Sequence, residues 1–154
     1  MKPVRIIGVG SPAGDDQAGW WTIEAFDRDV SRSPAMMARI CTMALDRPGI
    51  NLVNLMQGAQ RVFLIDAVQS RSPPGTIYRL SIAELAAWEE TVSSHGFGVA
   101  MALHLARELN ALPKALSLYG IGIESAAAGG KPCLTVRNAA HAVAHEILGV
   151  VSSQ

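Results

Sequence analysis

Four consecutive apolar residues, Val62-Phe63-Leu64-Ile65, run straight into Asp66. A strand with one wet face alternates apolar and polar side chains. A run without alternation has to be covered on both faces, as strands are in a parallel sheet flanked by helices. The carboxylate that closes such a run lies at the carboxyl end of the strand, the edge at which open α/β sheets bind their ligands. A second segment repeats the arrangement. Ile6-Ile7-Gly8-Val9 breaks into Gly10-Ser11-Pro12-Ala13-Gly14-Asp15-Asp16, after which Ala18, Trp21, Ala25 and Phe26 recur at helical spacing. The two acids therefore stand at a strand-to-helix turn. One is expected to cap the helix and the other to face the crevice.

A third piece, Ser93-Ser94-His95-Gly96, precedes a helical stretch over residues 97–109 and puts His95 at a loop edge. Asp16, Asp66 and His95 together make a metal-binding donor set delivered by three separate loops to one sheet edge. Each residue also has a plainer explanation. Asp16 could simply cap a helix, Asp66 could begin the turn before Pro73, and His95 could hold a surface hydrogen bond. Spacing alone leaves the choice open.

The rest of the chain alternates strand and helix signals. Strands are expected over residues 4–9, 38–43, 61–66 and 115–121, and helices over 16–27, 48–58, 82–90, 97–109 and 136–148, with a polar joint at 28–34. Val99, Ala102, Leu103, Ala106 and Leu109 form the core stripe of the fourth helix. Residues 67–75 are too few for a crossover helix and include Pro73-Pro74, so residues 76–80 should return as an antiparallel edge strand. The expected fold class is α/β: a three-layer α/β/α sandwich with a five-stranded, mostly parallel sheet and one antiparallel edge strand. The 154 residues suit a single domain, and 49% hydrophobic content is enough to build its core.

Charge removes several function classes. The formal net charge is +0, from 13 basic and 13 acidic residues with no basic block, so neither nucleic acid nor an anionic membrane is an expected partner. The apolar run before Asp15 is too short to span a membrane and carries no signal-cleavage pattern, which predicts a cytoplasmic protein. Cys41 and Cys133 form no CxxC pair and read as reduced, small apolar residues.

Other motifs weaken on inspection. Gly8-Val9-Gly10-Ser11-Pro12-Ala13 fits G-x-G-x-x-A, but Asp15 and Asp16 would repel a pyrophosphate at that helix terminus, and no Walker lysine follows. His141 and His145 have zincin spacing, yet Ala142 stands where a glutamate base is needed; the pair is expected on the polar face of the last helix with Arg137. His104 is half a turn out of phase with His95. The serines lack a G-x-S-x-G elbow. Trp20, Trp21 and Trp88 read as core or rim aromatics, with Trp20 placed to border a peptide groove.

Taken in order, Gly8 to Gly19, then Leu64-Ile65-Asp66-Ala67-Val68, Pro74-Gly75-Thr76-Ile77, Ser94-His95-Gly96 and Leu118-Tyr119-Gly120-Ile121 resemble the signatures of the hydrogenase maturation endopeptidases. The resemblance spans about residues 4–124. It implies a protease that removes the carboxyl-terminal extension of a nickel-iron hydrogenase large-subunit precursor after nickel insertion. It also implies that the metal ligands, and with them the catalytic positions, are Asp16, Asp66 and His95. The implied metal is nickel, carried by the substrate rather than resident in the enzyme. A nonproteolytic nickel-binding chaperone or sensor of hydrogenase assembly would use the same residues, and a dinucleotide-binding module ranks third.

The chain departs from the family pattern at four places. Ser11 stands where Asn is usual, Gln17 where Gly is usual, and Gly122-Ile123 replaces Glu-Pro. A motif of aspartate, glycines and threonine is represented only by Asp46-Arg47-Pro48-Gly49. Asp46 is therefore a candidate secondary acid.

Overall fold

A computed structural model describes residues 3–81, 83–84, 99–124 and 132–154. In chain order these form β1 (Val4–Gly10), a short 3-10 turn (Gly14–Gln17), α1 (Ala18–Val30), α2 (Pro34–Arg39) and β2 (Ile40–Asp46). There follow α3 (Asn51–Met56), β3 (Arg61–Gln69), β4 (Ile77–Leu80), α4 (Ala100–Glu108), β5 (Ala115–Ile123) and α5 (Leu134–Ser152). The strands make one five-stranded sheet in the order β2-β1-β3-β5-β4. All neighbours are parallel except β4 and β5, so the fourth strand is the antiparallel edge that its short connection required.

Alternate residues of the inner strands supply two separate cores. Ile6, Phe63 and Ile65 pack with Phe26 of α1 and Val143 and Ile147 of α5. Ile7, Val62 and Leu64 pack with Leu52 and Met56 of α3 and Leu103 of α4. Burial on both faces is why β3 reads as an apolar run: its residues from Val62 to Val68 are all buried. No helix among the described residues is long and apolar enough to cross a membrane.

Several boundaries differ from those the sequence predicts. The polar joint contains α2, which starts with Pro34 at its first position but buries no residue, so no amphipathic stripe announces it. The second strand correspondingly begins at Ile40 and runs to Asp46. The helix after Pro48 is confined to six residues. Leu109 is not on the core stripe: α4 ends at Glu108, Asn110 turns left-handed at φ 52°, and Leu109 is left exposed. The expected helix at 82–90, the start of the stretch at 97–109, Trp88, His95 and residues 126–131, whose glycines read in sequence as a loop, fall on or across residues outside those described.

The glycines of the first turn are there for contact. A Cβ on Gly19 would lie 2.4 Å from the Val9 carbonyl oxygen and 2.7 Å from that of Ile65, and one on Gly8 would lie 2.2 Å from the Gly19 carbonyl oxygen. Helix α1 is thus laid directly on the seam between β1 and β3 at a distance that no side chain tolerates. Gly19→Ala is expected to cost about 3 kcal/mol by forcing backbone apart, lowering the melting temperature by roughly 10 °C. Thermal denaturation followed by circular dichroism checks this; an unchanged midpoint would show that α1 can lift off the seam without penalty.

Candidate active site

The chain leaves β1 for α1 on one face of the sheet, and β2 reaches β3 through α3 on the other. Because β1 sits between β2 and β3, the connections diverge at the β1/β3 boundary and open a crevice at the carboxyl edge, the switch point where α/β folds bind ligands. A cavity of about 250 Å³ lies there, lined by Val9, Gly10, Asp16, Arg47, Pro48, Gly49, Asp66 and Ala67. Two of the three candidate residues therefore meet in one cavity although fifty positions separate them in sequence.

Each carboxylate is held in place by its own neighbourhood. Asp66 is buried at 4% exposure near the end of β3, and its Oδ1 accepts the amide N–H of Ala67 at 2.8 Å. Asp16 sits in the 3-10 turn, where its Oδ2 accepts the hydroxyl hydrogen of buried Ser11. The Ser11 oxygen in turn faces the amide of Ala13 at 3.4 Å. Ser11 thus fixes the direction of Asp16 from the position where the family pattern has Asn. Gln17 braces the same turn, its amide donating to the Gly14 carbonyl at 3.1 Å.

His95, the third candidate, lies outside the described residues. Among the described residues no group of three His, Cys, Asp or Glu side chains stands together. Oxygen donors of this kind accept a divalent ion, and an imidazole would add the nitrogen that suits nickel.

The expected cap role of the acids is not what the structure shows. Neither the 3-10 turn nor α1 has a side-chain cap hydrogen bond. Asp15 instead reaches across the molecule, where its Oδ1 accepts the N–H of Cys133 at 2.8 Å. Cys133 is the residue before α5, so the carboxylate lies at the amino end of a 19-residue helix, where a negative charge is favoured. The Cys133 thiol, 3.0 Å from the Thr135 hydroxyl, is lowered from its ordinary pKa chiefly by that contact. Cys41 and Cys133 are both free thiols, as their spacing implied.

The residues missed by sequence are Arg47, Pro48 and Gly49: of the segment Asp46-Arg47-Pro48-Gly49 only Asp46 was a candidate, and Pro48-Gly49 read as the opening of a helix. Arg47 has a positive φ of 42° and donates its N–H to the Gly10 carbonyl at 3.0 Å, which ties the loop after β2 to the end of β1. Its guanidinium pairs with Asp46 at 2.7 Å, and that hydrogen bond raises it further above its ordinary pKa. Asp46 is thus spent on Arg47. The indole of Trp20 donates to the Leu45 carbonyl at 2.9 Å and so braces β2 against α1. Arg137 lies one and two turns before exposed His141 and His145 on the same helix, and its guanidinium stacks 4.7 Å from the centre of the Trp21 ring.

Asp15→Ala should cost about 1–2 kcal/mol by removing the acceptor at the start of α5, while Asp15→Asn, which keeps an acceptor, should lose less. Chemical denaturation of the two variants checks the order; equal losses would mean that charge, not hydrogen bonding, carries the contact.

The family model described as hydrogenase maturation protease matches residues 47–150. Among curated protein sequences there is no significant match. The fold is that of the hydrogenase maturating endopeptidase HybD from E. coli, with 22% identity, 99% of this chain and 93% of that one covered, and a TM-score of 0.77. The hydrogenase 2 maturation peptidase from Thaumarchaeota archaeon SCGC_AB-539-E09 aligns over 99% of this chain and 100% of its own at 21% identity and a TM-score of 0.67. The [NiFe] hydrogenase maturation protease HycI from Thermococcus kodakarensis KOD1 aligns over 98% and 93% at 17% identity and a TM-score of 0.71. With its sheet order, its carboxyl-edge cavity and two thirds of its length matched by the family model, this chain belongs to the hydrogenase maturation protease family.

Proposed function

We propose that the protein is an endopeptidase that acts in the cytoplasm and removes the carboxyl-terminal extension of a nickel-iron hydrogenase large-subunit precursor once nickel has been inserted. The observation that carries this proposal is the meeting of Asp16 and Asp66 in a single carboxyl-edge cavity of a maturation protease. Nickel is treated as part of the substrate. Asp16, Asp66 and His95 would complete the coordination of an ion that arrives with the precursor, and binding it would align the extension for attack by water on the scissile carbonyl. Ser11 and the Ala67 amide hold the two carboxylates at fixed angles, so little reorganisation is needed on binding. A dinucleotide is a poor occupant: the cavity is smaller than the roughly 300–1,000 Å³ typical of pockets for drug-sized ligands, and Gly8 is closed over by α1.

The deciding experiment is incubation with a large-subunit precursor, with and without nickel, followed by intact mass measurement. Loss of the extension only from the nickel-loaded precursor is expected. Equal cleavage of both forms would overturn nickel recognition, and stable binding without any mass change would favour the chaperone or sensor.

Substitutions separate the roles. Asp66→Asn and His95→Ala are each expected to reduce processing at least a hundredfold while leaving the melting temperature within a few degrees, because they remove charge or a ligand rather than core volume. Normal processing by either variant would remove that residue from the site.

A further inference from the structure

Among the described residues, strand β2 is an edge of the sheet, hydrogen-bonded to β1 alone. The Arg47 N–H points to Gly10 of β1, so by alternation Leu45, Met43 and Cys41 also turn their backbone groups inward, and Thr42, Ala44 and Asp46 turn theirs outward. The Ile40 N–H, on the same outward set, is taken by the Met36 carbonyl of α2. Beyond it the outward groups of Thr42, Ala44 and Asp46 have no backbone partner among the described residues, and Ala44 and Asp46 are exposed.

Natural sheets protect their edges with short strands, prolines or charges. The opposite edge, β4, is protected in that way: it has four residues, follows Pro73-Pro74, and its Arg79 is held by Glu146 of α5 at 2.8 Å. Strand β2 has seven residues, Ile-Cys-Thr-Met-Ala-Leu-Asp, with no proline and no basic residue. It also leads somewhere. It ends at Asp46, and the next three residues, Arg47, Pro48 and Gly49, line the cavity with Asp16 and Asp66.

From this continuity we infer that the outer edge of β2 is the docking strand for the polypeptide substrate: an extended stretch of the precursor next to the scissile bond pairs with Thr42, Ala44 and Asp46 and is led along the strand into the cavity. Main-chain hydrogen bonds supply the affinity, as in other cases of strand addition, and the cavity supplies the specificity. The inference rests on the proposed endopeptidase function and adds to it the path by which the substrate arrives.

The test uses the full chain and a nickel-loaded large-subunit precursor. Ala44→Pro removes one outward N–H and places a ring on the docking edge without touching the β1 ladder, a position at which proline is tolerated. It should raise KM roughly tenfold with kcat within twofold. In parallel, hydrogen exchange of the parent chain should show the amides of Thr42, Ala44 and Asp46 becoming protected when precursor is added. Because this measurement needs no variant, it stands even where Ala44→Pro fails to fold. Processing with unprotected amides and an unchanged KM would overturn the docking edge and leave the endopeptidase function intact. Protection without any processing would support the edge while overturning the function. Protection in the chain alone that disappears on dilution would assign the edge to a second copy and overturn the inference.

Discussion

The contact on which the architecture depends is the one between α1 and the seam of β1 and β3. Gly19 approaches the carbonyls of Val9 and Ile65 so closely that a single methyl group would collide with both. Because the helix lies this low, the turn that precedes it is drawn over the carboxyl edge of the sheet. Asp16 thereby reaches the cavity that Asp66 lines from β3. A helix packed at the usual distance on larger side chains would stand off the sheet and carry Asp16 away with it.

Two adjacent acids in that turn serve opposite ends of the molecule. Asp16 points to the cavity under the control of Ser11, and Asp15 binds the residue that starts the last helix. The first and last helices also pack on one another within a common core, with Arg137 laid over Trp21. The position of the cavity wall is therefore tied to the carboxyl-terminal part of the chain.

The loop after β2 brings Arg47-Pro48-Gly49 to the wall of the cavity, where it offers a cation paired to Asp46. The left-handed backbone at Arg47 and its bond to Gly10 hold the loop against the end of β1, where it joins the open edge strand to the cavity. The chain thus passes directly from the β2 edge to the cavity wall, with the β4 edge on the far side of the sheet.

Much of this was legible in the chain. The unbroken run before Asp66 announces a strand buried on both faces, and the short proline-rich link before Thr76 compels the antiparallel edge, because both follow from local periodicity and connection length. The ends of the same apolar runs singled out Asp16 and Asp66 as carboxylates of one sheet edge. Local pattern gave no hint of α2, whose six residues bury nothing, or of the end of α4, where a left-handed Asn110 stops a stripe that Leu109 would have continued. Sequence assigned one of Asp15 and Asp16 as the cap of the helix that follows them, whereas Asp15 serves the start of α5 instead; its partner, Cys133, is 118 residues away. That choice, like the arrival of Arg47 at the cavity, was made by the tertiary structure, because hydrogen bonds between distant segments exist only after the sheet has fixed which loops share an edge.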